Sequence, residues 1–319
     1  MSNGERPILL VDMLNLFVRS WAAYPSMSAH GYQMGGVVGT LKTLARICNE
    51  LNPRMVYIAW EGGGSTKRRQ IYSEYKLNRK PEKLNRFYED DIPESEENRK
   101  HQIMVLLALL KHTPVCQLYA SDCEGDDIIA YLARGRFKGK NKVIASSDKD
   151  MYQLLDDEST RIYNLHKKIY VVAEDVFEEF KVLASNFAIA KALCGDVSDN
   201  IPGIKGLGFK SLVRRLPFVG LEHDITLDKV FDYCEAHSKE SIHYRRILEG
   251  KEDIKRNWRL VYLDDHTLSN DQAKRIDYAL DTFVPGTNRI EFMRVLTKEG
   301  LNDFDVPGFY YALNGISNS

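Results

Sequence analysis

The chain has 319 residues, 44% hydrophobic and 28% charged, with a formal net charge of −1. It is long enough for a large core and has no apolar run of about 18 residues, so a membrane span is excluded and a cytoplasmic location expected. The opening Met1-Ser2-Asn3-Gly4-Glu5-Arg6-Pro7 lacks the apolar segment of a signal peptide, and the five cysteines (48, 116, 123, 194, 234), odd in number and without a Cys-x-x-Cys pair, argue against a disulfide framework or a zinc site.

In chain order, the apolar pattern predicts strand 7–12, helix 36–51, strand 55–60, helix 98–111, strand 115–119, helix 125–135 and strand 142–146. That alternation predicts a doubly wound, mainly parallel α/β sheet. Two alternating runs, 160–165 and 168–172, read as an edge hairpin across His166-Lys167, although that pair lacks the usual turn glycine. Beyond 173 the patterns are helical: an acid-led helix from Ala173 to Phe180, a short one at 186–194, and another from Phe209 to Leu216. The remainder, 222–319, carries helical stretches without an assignable motif.

Acidic residues follow the strands. Ile8-Leu9-Leu10-Val11 runs into Asp12, the strand at 55–60 into Glu61, and Val143-Ile144-Ala145 into Asp148 and Asp150. Glu124, Asp126 and Asp127 open the helix at 125. In an open parallel sheet, ligands bind beyond the carboxyl ends of the strands. Carboxylates delivered there repel one another unless a cation is bound, and oxygen donors without His or Cys favour Mg²⁺ or Mn²⁺. Phosphoryl transfer is the chemistry this predicts.

Between the second strand and the next helix lies a long connection, 61–97, of the kind that is usually functional. It opens with Gly62-Gly63-Gly64. Residues 65–86 then hold eight Lys or Arg (67, 68, 69, 76, 79, 80, 83, 86) against two Glu, and six acids follow at 89–97. Local basic surface of this kind makes a nucleic-acid ligand compatible with a near-neutral chain. A second constellation runs from Gly195 to Gly208. Asp196 and Asp199 sit one helical turn apart, Gly203, Gly206 and Gly208 permit close backbone approach, and Lys205, Lys210, Arg214 and Arg215 follow without an acid.

These runs resemble the 5′-nuclease family, which includes the 5′–3′ exonuclease domain of bacterial DNA polymerase I and phage flap endonucleases with ribonuclease H activity. The matching segments are Leu10-Val11-Asp12 with Asn15, Tyr75-Lys76-Leu77-Asn78-Arg79, Glu124-Gly125-Asp126-Asp127, Ser147-Asp148-Lys149-Asp150, and Gly195 through Gly208. They occur in family order over roughly residues 7–220. Where the family usually has Asp after the second strand, this chain has Glu61.

The resemblance implies a nuclease domain over 1–180 with a helical arch at 61–115. A helical DNA-binding region would occupy 181–319, with a helix–three-turn–helix at about 186–216. It implies two Mg²⁺ or Mn²⁺ ions held directly or through water by Asp12, Glu124, Asp126, Asp127, Asp148, Asp150, Asp196 and Asp199, and Glu61, at the departing position, is expected to join them in an outer role or to change the metal spacing. Lys76 and Arg79 would contact the scissile phosphate and Tyr75 would stack near the terminal bases. Gly203, Lys205, Gly206, Gly208 and Lys210 would hold a duplex phosphate, with K⁺ at the 203–208 loop. The implied partners are branched or nicked duplex DNA, RNA–DNA hybrid and replication proteins, and the implied form is a stand-alone monomer. Two rivals are weaker: a phosphatase of one large group would need an Asp-x-Asp pair where Asp12-Met13-Leu14 stands, and a non-catalytic DNA binder would retain costly clustered acids without using them.

Overall fold

The apolar runs form strands β1 (Ile8–Asp12), β2 (Met55–Trp60), β3 (Cys116–Tyr119), β4 (Lys142–Ala145), β5 (Thr160–Asn164) and β6 (Ile169–Val171) in a computed structural model. It describes residues 5–63, 66–79, 96–156 and 158–316. The six strands make one sheet in the order β3-β2-β1-β4-β5-β6, parallel except for the antiparallel β5–β6 pair. The hairpin forms without a turn glycine because Asn164 supplies the turn chemistry. Its Oδ1 accepts from the His166 and Lys167 amides at 2.9 and 2.8 Å, and Lys168 takes the left-handed conformation, φ 56°.

Successive strand residues point to opposite faces, and each face has its own core. Leu9, Val11, Val56, Ile58, Val143 and Ala145 belong to one. Against it lie α1 (Met13–Ala23), α2 (Gly35–Leu51) and, beyond the short α3 (Thr66–Ile71), α4 (Glu96–Leu110). Ile8, Leu10, Tyr57, Ala59, Ile144 and Ile162 belong to the other, with α5 (Gly125–Ala130), which continues as a π turn over Tyr131–Arg136. Helix α1 was not among the predicted elements. It begins directly at the end of β1, with Asp12 capping it by accepting from the Asn15 amide at 3.1 Å, and it buries Met13, Leu16, Phe17, Ser20 and Trp21 at helical spacing.

Helices α6 (Ala173–Phe180), α7 (Phe187–Cys194) and α8 (Phe209–Arg215) follow as expected. A third core joins α7 and α8 with α9 (Leu227–Ala236), α10 (Ile242–Glu249) and α11 (Lys251–Val261). The expected division at 180/181 needs correcting for the end of the chain. Helix α12 (Asn270–Thr282) packs on the second core through Ile276. Helices α13 (Arg289–Lys298) and α14 (Val306–Ala312) pack on the first through Phe292, Leu296, Phe309 and Tyr310. Helices α12 to α14 thus cover the sheet, and the helices that share the third core form a helical lobe from α7 to α11.

In chain order the sheet grows from β1 to β2 and β3, then returns to the other side of β1 for β4. The switch point lies between β1 and β4, where an open α/β sheet leaves a crevice. No helix among the described residues is long and apolar enough to cross a membrane.

Candidate active site

A crevice of about 520 Å³ opens at that switch point, and Asp12, Glu61, Glu124, Asp126 and Asp148 line it together with Lys76 and Arg79. Each acid has a structural reason to be there. Asp12 ends β1 and caps α1, and its other oxygen accepts from Ser146 Oγ at 2.9 Å. Ser146 and Ser147 follow β4, and the Ser147 amide donates to Asn15 Oδ1 at 3.1 Å, which ties the two strand ends together. Asp148 caps the short turn Lys149–Leu154 by accepting from the Asp150 amide at 2.9 Å. Glu61 is held beside the start of α5 because Gly62 donates to Cys123 O at 2.9 Å. A Cβ at Gly62 would fall 1.6 Å from Ala120 O, so only glycine fits.

The acids in the crevice are undercompensated. Burial pushes Asp12 up to about 7, with further raising by Asp148 and Asp126 against hydrogen bonds from Asn15 and Ser146. Burial likewise raises Asp148. Burial and Asp126 lift Glu124 to about 7 although Arg68 and Lys76 oppose the shift. Among the described residues, Asp126 Oδ1 is buried without a hydrogen-bond donor, its nearest cation being Arg68 Nη2 at 3.7 Å. Buried polar atoms are normally satisfied, so this oxygen and the mutual repulsion of Asp12, Asp126 and Asp148 fit a hard divalent cation.

Besides Arg68, two cationic side chains reach the acids from residues 66–79. Lys76 Nζ donates to both oxygens of Glu124, at 2.8 and 2.7 Å. Burial works against its ammonium, but Glu124, Asp126 and Asp199 outweigh it and hold its pKa above the ordinary lysine value. The backbone there is strained, φ 59° at Lys76, and its amide donates to Asp199 O at 2.9 Å. Arg79 Nη2 donates to Asp199 Oδ1 at 2.5 Å. Lys80, Lys83, Arg86, Gly64 and the acids at 89–94 lie outside the described residues.

Asp150, Asp196 and Asp199 form a second group, with one carboxylate oxygen of each lying within 4.8 Å of the others. The Lys191 ammonium bridges Asp150 and Asp196, reaching Asp196 Oδ2 at 2.5 Å. Burial outweighs Lys191 at Asp150 and lifts it to about 7. At the less buried Asp196, Lys191 and Ser198 overcome burial and hold the carboxyl low.

Two expectations change. Asp127 does not line the crevice; Arg68 holds both its oxygens, and its Oδ2 also accepts from the Glu124 amide at 3.0 Å. Tyr75 is not available to stack on a base here. Its ring is 2% exposed in the third core, and its hydroxyl lies 3.4 Å from Glu124 Oε2 and 3.2 Å from Asp199 Oδ2. Arg68 and Lys191 were not singled out from the sequence. Arg68 looks like any member of a basic run, but Lys191 had a signal: it is the one charge in Phe187–Cys194.

The loop before α8 presents Gly203, Lys205, Gly206 and Gly208 at the surface, and Lys210 in the first turn of α8 is exposed beside them. Gly206 has φ +80°, and Ser211 accepts from the Gly208 amide at 3.0 Å to start the helix.

A doubly wound sheet whose switch-point crevice gathers five acids and the cations Arg19, Lys76 and Arg79 defines the class, an α/β nuclease. The chain belongs to the 5′-3′ exonuclease family: residues 7–181 match the model described as 5′-3′ exonuclease, N-terminal resolvase-like domain. It is similar to the 5′-3′ exonuclease of Aquifex aeolicus, 28% identical over 275 residues, 84% of this chain and 86% of the relative. A 5′-3′ exonuclease of Buchnera aphidicola is 31% identical over 212 residues, 65% of this chain and 68% of that one. DNA polymerase I of Thermus aquaticus is 29% identical over 299 residues, 92% of this chain but 33% of the polymerase. Among solved structures, the flap endonuclease of bacteriophage T5 in complex with DNA and metal ions superposes with TM-score 0.63 at 19% identity, covering 97% of this chain and all of that one. At that identity the likeness establishes the fold. Family and fold together make the protein a 5′ nuclease.

Proposed function

We propose that the crevice hydrolyses a phosphodiester near the 5′ end of flap or nicked duplex DNA, and of RNA paired with DNA. Asp12, Glu61, Glu124, Asp126 and Asp148 would hold one Mg²⁺ or Mn²⁺, and Asp150, Asp196 and Asp199 a second. Bound there, the cations supply an activated water and stabilise the leaving oxygen. Lys76 and Arg79, which now neutralise Glu124 and Asp199, are placed to transfer that charge to the scissile phosphate. Asp127 acts through Arg68 by fixing the start of α5. The loop at 203–208 and Lys210 would hold the duplex by its phosphates, without reading bases. The observation that carries this reading is the convergence of the half-buried Asp12, Asp126 and Asp148 at the switch point, where Asp126 Oδ1 is buried without a donor among the described residues.

The test is cleavage of end-labelled flap, nicked and RNA–DNA substrates with Mg²⁺ or EDTA, by the wild type and Asp148→Asn. Cleavage in Mg²⁺ alone, lost in the variant while duplex binding persists, is expected. Turnover in EDTA, or a fully active variant, would sink the assignment. An intact RNA strand beside a cut DNA strand would remove the hybrid from the substrate range.

A further inference from the structure

Helix α10 belongs to the stretch of sequence without a motif, yet it closes over the proposed duplex-binding loop. Ser241 caps it, and Tyr244 and Ile247 bury its inner face in the third core. The Tyr244 hydroxyl donates to Arg215 O at 3.0 Å, which fixes α10 against the end of α8. From the same helix, Arg246 Nη1 donates to Lys205 O at 3.0 Å and His243 Nε2 lies 3.2 Å from Gly206 O. A Cβ on Gly206 would stand 3.3 Å from His243 Nε2 and 3.7 Å from Arg246 Nη1, so both side chains crowd the left-handed residue of the loop.

The family resemblance implies K⁺ among this loop's carbonyls. Such an ion needs several oxygens to replace its hydration shell. Of the seven carbonyl oxygens from Pro202 to Gly208, five already face nitrogen donors. Besides Lys205 and Gly206, Pro202 O accepts from Asn257 at 2.7 Å, Ile204 O from the Leu207 amide at 2.9 Å, and Gly208 O from the Leu212 amide at 2.8 Å. That leaves Gly203 O and Leu207 O without a nitrogen donor among the described residues, fewer than the several oxygens K⁺ needs in place of its hydration shell.

We infer that the Arg246 guanidinium, seconded by His243, takes the place of an inorganic cation at the 203–208 loop, making α10 part of the duplex grip and that grip independent of K⁺. The inference rests on the reading of the loop as the duplex site. A guanidinium stays charged at any working pH and offers directional donors, so it can hold two adjacent peptide units in register and add positive field behind a bound phosphate. Arg246 is thus a positioning residue, acting through the loop backbone.

The experiment is equilibrium binding of a nicked duplex in EDTA, in KCl and in tetramethylammonium chloride at equal ionic strength. The wild type, Arg246→Ala, Arg246→Lys and Lys205→Ala/Lys210→Ala would be compared, with thermal unfolding as a folding control. The wild type should bind equally in both salts. Arg246→Ala should lose about fivefold in affinity, the scale of one exposed charge-assisted hydrogen bond, and Arg246→Lys should regain part of it. A wild-type grip that weakens about tenfold without K⁺ would restore the inorganic cation and overturn the inference. So would an Arg246→Ala variant that binds as the wild type does while the double lysine variant is weakened. If the double lysine variant also binds normally, the loop is not the duplex site and the underlying reading fails as well.

Discussion

One guanidinium, that of Arg68, holds both carboxylate oxygens of Asp127, at 2.8 and 3.0 Å. The same side chain lies 3.3 Å from Glu124 and donates through Nε to Leu260 O at 2.9 Å. A residue at the base of the proposed arch therefore joins the start of α5 to the end of α11, linking the sheet to the helical lobe.

Arg68→Met should destabilise the protein strongly, because it leaves Asp127 buried without its charge partner, with the Glu124 amide still donating to it. Breaking such a pair costs about 3–5 kcal/mol, whereas replacing both members with apolar groups is far milder. Urea unfolding in EDTA should show a large loss for Arg68→Met and a smaller one for Arg68→Met/Asp127→Leu. Equal losses in the two variants would mean that the pair is not what holds this junction.

Lys76→Ala should reduce turnover much more than duplex affinity. Its ammonium now holds both Glu124 oxygens, and the proposed mechanism turns it toward the reacting phosphate. Losing one preorganised donor typically lowers the rate by about 10²–10³. Single-turnover cleavage, measured beside equilibrium binding, separates the two effects. A loss confined to affinity would reassign Lys76 to electrostatic attraction of the substrate.

Lys191→Met should be less stable than the wild type in EDTA by about 3 kcal/mol, since it leaves Asp150 and Asp196, beside Asp199, without the cation that bridges them. Added Mg²⁺ should then raise its melting temperature more than that of the wild type, because ligand binding to the folded state is worth most where repulsion is greatest. Identical Mg²⁺-induced shifts would show that the second acidic group takes no divalent ion.

The parts of the site that lie on strand ends were legible in the sequence. Asp12, Glu61 and Asp148 each follow an apolar run whose direction determines where the next side chain emerges, and all three reach one crevice. What was not legible depends on partners remote in sequence. Asp127 looked like its neighbours Glu124 and Asp126 until Arg68, 59 residues away, took its oxygens. Tyr75 sits in a segment poor in apolar residues, so its burial against α7 and the helical lobe carries no local signature. Helix α1 was legible in principle, its buried positions spaced 3, 4, 7 and 8 from Met13, but a strand running straight into a helix leaves no turn residue to mark the boundary. The packing of the tail on the sheet is not legible because helical periodicity reveals which face is apolar and not which core it meets.

Lys205→Ala/Lys210→Ala should bind flap DNA more weakly and with a shallower salt dependence. Both lysines are exposed around the loop, and neither lines the acidic crevice. For each phosphate that the variant no longer neutralises, the slope of log K against log[salt] should fall by about 0.9 on duplex DNA. The effect should be the same for unrelated duplex sequences, since groups that grip phosphates position the duplex without reading bases. Cleavage at saturating DNA should survive, because Asp12, Asp126 and Asp148 are untouched and the crevice does not depend on the loop for its geometry. Titrations from low to moderate salt, on two duplexes of unrelated sequence, measure the slope directly. An unchanged slope would leave the Gly-rich segment as a helical connection and move the duplex grip to the basic residues at 65–86.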